Sequence, residues 1–259
     1  MIYIQKGEPS ERVREELFAI QQSERWKEIK ETDVNAMRSV FDNDVTCKPE
    51  IRDDLLREQH FICAYCMQPI ENAPLHMSIE HVVPLSKCKD KVLDFQNYLG
   101  VCKGGRDLPK NKKRCTCCDE SKGNKELKAI NPFEKAQMNQ IKYLPTGEIY
   151  YERQEKDSDA FIEKMEEDLY QTLRLNGKYD KEKRMVRQDT KTSLVKNRKD
   201  VYESCEEYIR ELEEQGLLTK EKIASDIQGL LEMEQYEGYI GVRIFLLKQM
   251  YDLLAEAEK

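Results

Sequence analysis

The chain has 259 residues, with 50 Asp and Glu against 43 Lys and Arg, for a formal net charge of -7. That balance excludes a protein that coats nucleic acid with its whole surface, while leaving room for a local basic patch. There is no run of eighteen apolar residues, and the opening Met1-Ile-Tyr-Ile-Gln-Lys6 lacks the charged-then-apolar pattern of a signal peptide, so a soluble cytoplasmic protein without membrane contact is expected.

The length suits one large domain or two small ones. In chain order, Ile2-Tyr3-Ile4 before Gly7 and Pro9 predicts a short edge strand and a turn. Ser10 is placed to N-cap a helix with Val13, Leu17 and Ile20 on one face. A second short helix is expected from about Pro49, with Ile51 and Leu55 inward, leading into Cys63. Residues 72–131 are irregular and rich in Gly, Pro, Cys and Lys. Order there has to come from metal, because a hydrophobic core cannot supply it. Tyr143 to Tyr150 predicts a hairpin turned by Pro145 and Gly147.

After Ser158, Phe161, Met165, Leu169 and Leu173 recur at helical spacing, as do Leu194, Arg198, Tyr202, Cys205, Ile209 and Leu212. Gly216 is a helix stop, with two further helices beyond it. Tyr236, Tyr239, Phe245 and Tyr251 are read as core in preference to docking contacts. A composition shift separates 1–155 from 156–259 with no flexible linker. The expected class is α+β, mainly α, with N-terminal helices, a metal-pinned centre and a C-terminal helical region.

Nine cysteines are many for a reducing compartment, and seven of them lie between Cys63 and Cys118. Clustered thiols in such a compartment bind metal more often than they form disulfides. Cys63-x2-Cys66 presents two thiolates to one tetrahedral zinc ion. The second pair has two solutions. Cys115 and Cys118 have the same spacing, whereas Cys102 follows the strand-like Tyr98-Leu-Gly-Val101 and can pair with Cys118 across an inserted loop. Cys88 and Cys117 are read as spares.

Between the knuckles, His81 closes the strand-like Met77-Ser-Ile-Glu80. An imidazole there can act as general base at neutral pH. Glu80 beside it and Asp119 after a zinc cysteine offer oxygen ligands to a hard divalent ion such as Mg2+ or Mn2+. His60 and His76 lack such company and are read as non-catalytic.

Cys63-x2-Cys66, Ile79-Glu80-His81-x2-Pro84, Asn97 followed by Leu99-Gly-Val-Cys102, and Cys118-Asp119-x2-Lys122-Gly123 together resemble the HNH endonuclease motif. That family has a ββα-metal core. The match is closer to the PtuB family, the HNH nuclease subunits of Septu-type and retron-associated anti-phage systems. Members are also similar at Ile4-x-Lys6-Gly7, at the Gly147 hairpin and at Leu173-Arg-Leu-Asn176, over about the first 190 residues. The resemblance implies His81 as general base, Glu80 and Asp119 as metal ligands and Asn97 as the residue bracing the loop. It implies zinc on Cys63, Cys66, Cys102 and Cys118, which tips the choice toward Cys102 over Cys115. Many HNH enzymes have His or Asn where this chain has Asp119, and an aspartate suits Mg2+ or Mn2+ better than zinc. The implied partners are an SMC-like, ABC-type ATPase (PtuA), a DNA or tRNA substrate and, in some systems, a retron reverse transcriptase with its DNA.

Candidate nucleic-acid contacts are Lys103, Arg106, Lys110, Lys112, Lys113 and Arg114 in a basic loop, and Lys122 beyond it. A second basic stretch runs from Arg174 to Lys199 and includes Lys183, Arg184, Arg187 and Lys191. The competing reading is a non-catalytic zinc-ribbon module that binds nucleic acid or a partner. A redox role for Cys63 and Cys66 is disfavoured because the strand-helix setting of a thioredoxin-like fold is absent.

Overall fold

A computed structural model describes residues 1–105, 116–180, 185–187 and 193–257, with the backbone alone for 178–180 and 185–187. The fold is α+β and mostly helical, with three two-stranded antiparallel ladders among the described residues.

Four helices open the chain: α1 (Glu11–Gln22), α2 (Glu24–Glu28), α3 (Val34–Asn43) and α4 (Lys48–Glu58). Ser10 precedes α1 as expected, but its side chain does not cap the helix. Its amide and hydroxyl both donate to Asp54 Oδ2, at 2.8 and 2.9 Å, tying α1 to α4 instead. Sequence periodicity does not single out α2 or α3. Both carry ordinary caps, Ser23 accepting from the Trp26 amide and Asp33 from the Ala36 amide. Ile2-Tyr3-Ile4 forms no strand; one bond from the Ile4 amide to the Pro132 carbonyl holds it, with no second strand to pair.

The helices enclose a core of Val13, Leu17, Trp26, Met37, Val40, Phe41, Ile51 and Leu55, which continues into Val92, Phe95 and Tyr98. Beside it lies the central ladder, β1 (Met77–His81) with β2 (Tyr98–Cys102), in a register pairing His81 with Tyr98 and Met77 with Cys102. A short helix, α5 (Cys118–Lys122), follows, then α6 (Lys135–Met138) and the predicted hairpin, β3 (Ile141–Tyr143) with β4 (Ile149–Tyr151). Gly147 turns it at φ 85°, and a Cβ there would lie 2.1 Å from the Val195 carbonyl oxygen. Only glycine permits both the turn and this approach.

Ser158 caps α7 (Asp159–Glu166), which runs on into one π-helical stretch, Glu167–Thr172. Asp168 in that stretch is buried and accepts from the Lys128, Ala129 and Ile130 amides at 2.7, 2.7 and 3.0 Å. This anchors part of the irregular segment without metal. The strands β5 (Lys178–Asp180) and β6 (Met185–Arg187) precede three helices, α8 (Leu194–Glu214), α9 (Lys220–Leu231) and α10 (Ile240–Ala257). Gly216, at φ 68°, follows α8 as predicted. Tyr236, Tyr239 and Phe245 are buried, and Tyr251 packs half-buried beside them.

The second and larger core joins Cys63–Met67, Leu99 and Val101 to Met165, Leu169, Leu194, Tyr202, Ile240 and Leu247. It runs across residue 155, so the stretches on either side share one interior. No described helix is long and apolar enough to cross a membrane.

Candidate metal centre and active site

Four cysteines from three elements converge. Cys63 and Cys66 lie in a tight turn after α4, where the Cys63 amide donates to the Gln68 carbonyl at 2.8 Å and the Met67 amide to the Cys63 carbonyl at 2.9 Å. Cys102 ends β2, and Cys118 opens α5 with its amide on the Leu173 carbonyl at 2.9 Å. All four are buried and their sulfurs lie within 4.8 Å of one another. The Cys63–Cys118 and Cys66–Cys102 separations are 3.9 and 3.7 Å. A tetrahedral zinc with bonds of about 2.3 Å sets its sulfurs about 3.8 Å apart, so the donor set fits such an ion. Hydrogen bonds from Cys117, Cys118, Cys63 and Cys66 draw the Cys102 thiol well below its ordinary pKa, toward the thiolate that binds metal. Cys117 is buried alongside but outside the four, and Cys88 is apart from them. Cys115 lies outside the described residues.

On the other side of α5 lies a cleft of about 510 Å³, lined by Ile79, Glu80 and His81 of β1 and Asp119 and Glu120 of α5. Neighbours on a strand ordinarily face opposite ways. At the end of β1, Glu80 and His81 both border the cleft, and both are largely buried.

His81 is the better defined of the two. Its Nε2 stands 3.0 Å from the Val92 carbonyl oxygen, which also accepts from the Tyr98 hydroxyl at 2.6 Å. A carbonyl can only accept, so Nε2 carries the proton and the lone pair is on Nδ1. Phe41 and Tyr98 meet the ring edge-on, with centroids 4.6 and 4.9 Å away. Burial pushes its pKa down to about 4, opposed by the bond to Val92. The imidazole is therefore neutral at physiological pH, as a base must be. Asn97 secures the loop that holds this carbonyl. Its Oδ1 accepts from the Val83 amide at 2.8 Å, while its Nδ2 donates to the Val83 and Lys91 carbonyls at 3.0 and 2.8 Å.

Burial and the Asp119 carboxylate raise Glu80 to about 8, against the pull of Lys122. The Lys122 ammonium sits 2.6 Å from Glu80 Oε1 and also donates to the His81 carbonyl at 3.2 Å. Lys122, expected among the nucleic-acid contacts, is thus corrected: its side chain is 1% exposed and committed to Glu80. A short helix beginning at Cys118 turns it inward, since Cys118 and Lys122 stand on one face four residues apart. The two crowded carboxylates offer hard oxygen donors, one of them already paired with Lys122.

Of the predicted basic contacts, Lys103 borders the cleft and donates to Ser78 Oγ at 3.2 Å. Arg106, Lys110, Lys112, Lys113 and Arg114 lie outside the described residues, as do Lys183, Arg184 and Lys191. Arg174 is half-buried against Thr116, and Lys199 pairs with Glu203 at 3.2 Å. Away from the cleft, His60 stacks on Tyr236 at 4.0 Å and His76 pairs with Glu71 at 3.1 Å.

Sequence reasoning missed three basic residues bordering the cleft and one tyrosine behind it. Arg38, Lys48 and Arg52 reach the cleft from α3 and α4. The spacing of Lys48 and Arg52, one helical turn apart, was the available signal. Tyr65, inside the first knuckle and fully buried, donates to Glu80 Oε1 at 3.4 Å, connecting the cysteine cluster to the cleft. Compared with known proteins, the chain matches no family model and no curated sequence.

Proposed function

We propose that this chain is a metal-dependent endonuclease of the HNH type, hydrolysing phosphodiester bonds of nucleic acid. The observation that carries the reading is His81: neutral, its Nε2–H pinned by Val92, its Nδ1 lone pair at the end of a strand beside two carboxylates. The β1–β2 ladder followed by α5, with β1 and α5 lining one cleft, supports a ββα-metal core. In this reading Cys63, Cys66, Cys102 and Cys118 hold a structural zinc, and Glu80 and Asp119 hold Mg2+ or Mn2+. When bound, that ion would stabilise charge developing on the phosphate.

The chain's own residues do the rest. His81 Nδ1 takes a proton from water as the water oxygen attacks phosphorus, and the bond to the leaving sugar oxygen breaks. Asn97 and Val92 keep the imidazole in the productive tautomer. Arg38, Lys48, Arg52 and Lys103 border the cleft on several sides and hold phosphates by charge, without reading sequence. The resemblance to PtuB supports reading the chain as effector of a defence complex with an SMC-like ATPase.

One observation favours a second reading, a non-catalytic zinc module: Lys122 already satisfies Glu80, leaving that carboxylate a partner without any ion. The test compares wild type with His81→Ala, each with measured zinc content, for Mg2+- or Mn2+-dependent cleavage of duplex DNA, single-stranded DNA and tRNA. Loss of cleavage with zinc retained is expected; full cleavage by the variant removes His81 as the base, and a zinc-loaded wild type that cleaves none of these substrates returns the chain to the second reading.

A further inference from the structure

Arg198 of α8 is the largest fully buried side chain among the described residues. Its Nε donates to the Gly147 carbonyl at 2.7 Å, and Nη2 donates to the Leu175 carbonyl at 2.8 Å and Asn176 Oδ1 at 2.9 Å. Its Nη1 is buried with no partner. Every acceptor is neutral, and no carboxylate among the described residues pairs with it. A guanidinium cannot shed its charge, and a buried cation without a counter-charge is strongly destabilising. Asp168 finds backbone amides, and Lys122 finds Glu80. Arg198 has no such answer among the described residues.

Burial lowers the guanidinium's pKa, and the groups whose charge opposes this are Tyr143, Cys66, Tyr239 and Cys118, two phenols and two members of the cysteine cluster. The surrounding bonds make the same connection. The Leu173–Asn176 turn that Arg198 clamps also takes the Cys118 amide, on Leu173. The preceding residue of α8, Asn197, donates to the Tyr239 hydroxyl at 3.0 Å, and the Tyr239 amide donates to the Met67 carbonyl at 2.9 Å, one residue past Cys66. Thus α8 is joined to both halves of the cluster. Four thiolates around Zn2+ carry a net charge of about -2, and that is the anion this interior lacks.

We infer that Arg198 is the counter-cation of the zinc tetrathiolate, a positioning residue through which metal occupancy and the docking of α8 are coupled. The inference rests on the four-cysteine zinc reading and is independent of nuclease activity. With zinc present, the negative cluster compensates the guanidinium. Without it, the four sulfurs no longer gather that charge at one point, the buried guanidinium loses compensation, and α8 with the Leu173–Asn176 turn loosens. By linkage, an α8 that is not docked through a cation weakens zinc binding.

The experiment is competition for zinc between the purified full-length protein and a chromogenic chelator, for wild type, Arg198→Met and Arg198→Lys. Arg198→Met should lose zinc affinity by about 10–100-fold, with Arg198→Lys, which keeps the charge, between it and wild type. Hydrogen exchange on wild type before and after zinc removal covers the case in which Arg198→Met fails to fold. Stripping should deprotect Leu194–Tyr202 and the start of α10 while α1 and α3, in the other core, stay protected. Wild-type zinc affinity in Arg198→Met, or unchanged protection of α8 after stripping, overturns the inference. A wild-type protein that binds no zinc at all overturns the four-cysteine reading as well, an outcome distinct from either.

Discussion

The cysteine cluster and the cleft share α5, and the paired strands β1 and β2 carry His81 to the cleft and Cys102 to the cluster, yet one is closed and the other open. In α5, Cys118 turns to the buried sulfurs and the next residue, Asp119, turns to the cleft. The cluster is soft, fully buried and geometrically complete, so it suits a metal that stays. The cleft is hard, polar and rimmed by cations, so it suits an ion and a substrate that exchange with solvent. Tyr65 and Lys122 stand between them, donating to the same Glu80 oxygen. Rigidity on one side thus places reactive groups on the other.

That contrast can be broken in stages. Cys66→Ser should have the largest effect, because structural zinc is worth on the order of 10 kcal/mol or more of folding free energy; zinc content and far-ultraviolet circular dichroism should fall together. His81→Ala should leave both unchanged while lowering cleavage by about 10²–10⁴-fold, read as initial rates at saturating Mg2+ or Mn2+. Lys122→Met strands Glu80 beside Asp119 and should cost about 3–5 kcal/mol in urea unfolding with chelator present. Added Mg2+ or Mn2+ should recover part of that loss, and no recovery would argue that the carboxylates hold no ion. Asn97→Ala orphans backbone groups of Val83 and Lys91 and should cost about 1–3 kcal/mol, lowering cleavage while zinc is retained. The smallest change in stability belongs to the exposed Arg38. Arg38→Ala should shift it by no more than about 0.5 kcal/mol, yet weaken nucleic-acid binding and reduce its salt slope by about 1.

Periodic and punctuated segments are legible in the sequence: α1, α4, the Gly147 hairpin, the Gly216 stop and the long α8. The helices α2 and α3 are harder to find because they are short, and α3 faces its core with only Met37, Val40 and Phe41. The expected Ile2–Ile4 strand fails for lack of a partner strand. In the site, Glu80, His81 and Asp119 stand out because packing alone seldom puts a charged or titratable residue at a strand end or directly after a ligand cysteine. Arg38, Lys48 and Arg52 do not, because a surface cation on a helix looks the same whether or not it faces a cleft.

By itself, the sequence marked the middle of the chain as a candidate metal-binding segment, since its cysteines cluster there. It determined the strand end carrying Glu80 and His81 as well. It did not decide between Cys102 and Cys115, because sulfur spacing along a chain does not specify distance across a loop. Tertiary structure brought Cys102 within 3.7 Å of Cys66. It also turned Lys122 inward and buried Arg198 against the Leu173–Asn176 turn. Those outcomes depend on burial, and whether a cation ends in water or in an interior is decided by the elements that close around it.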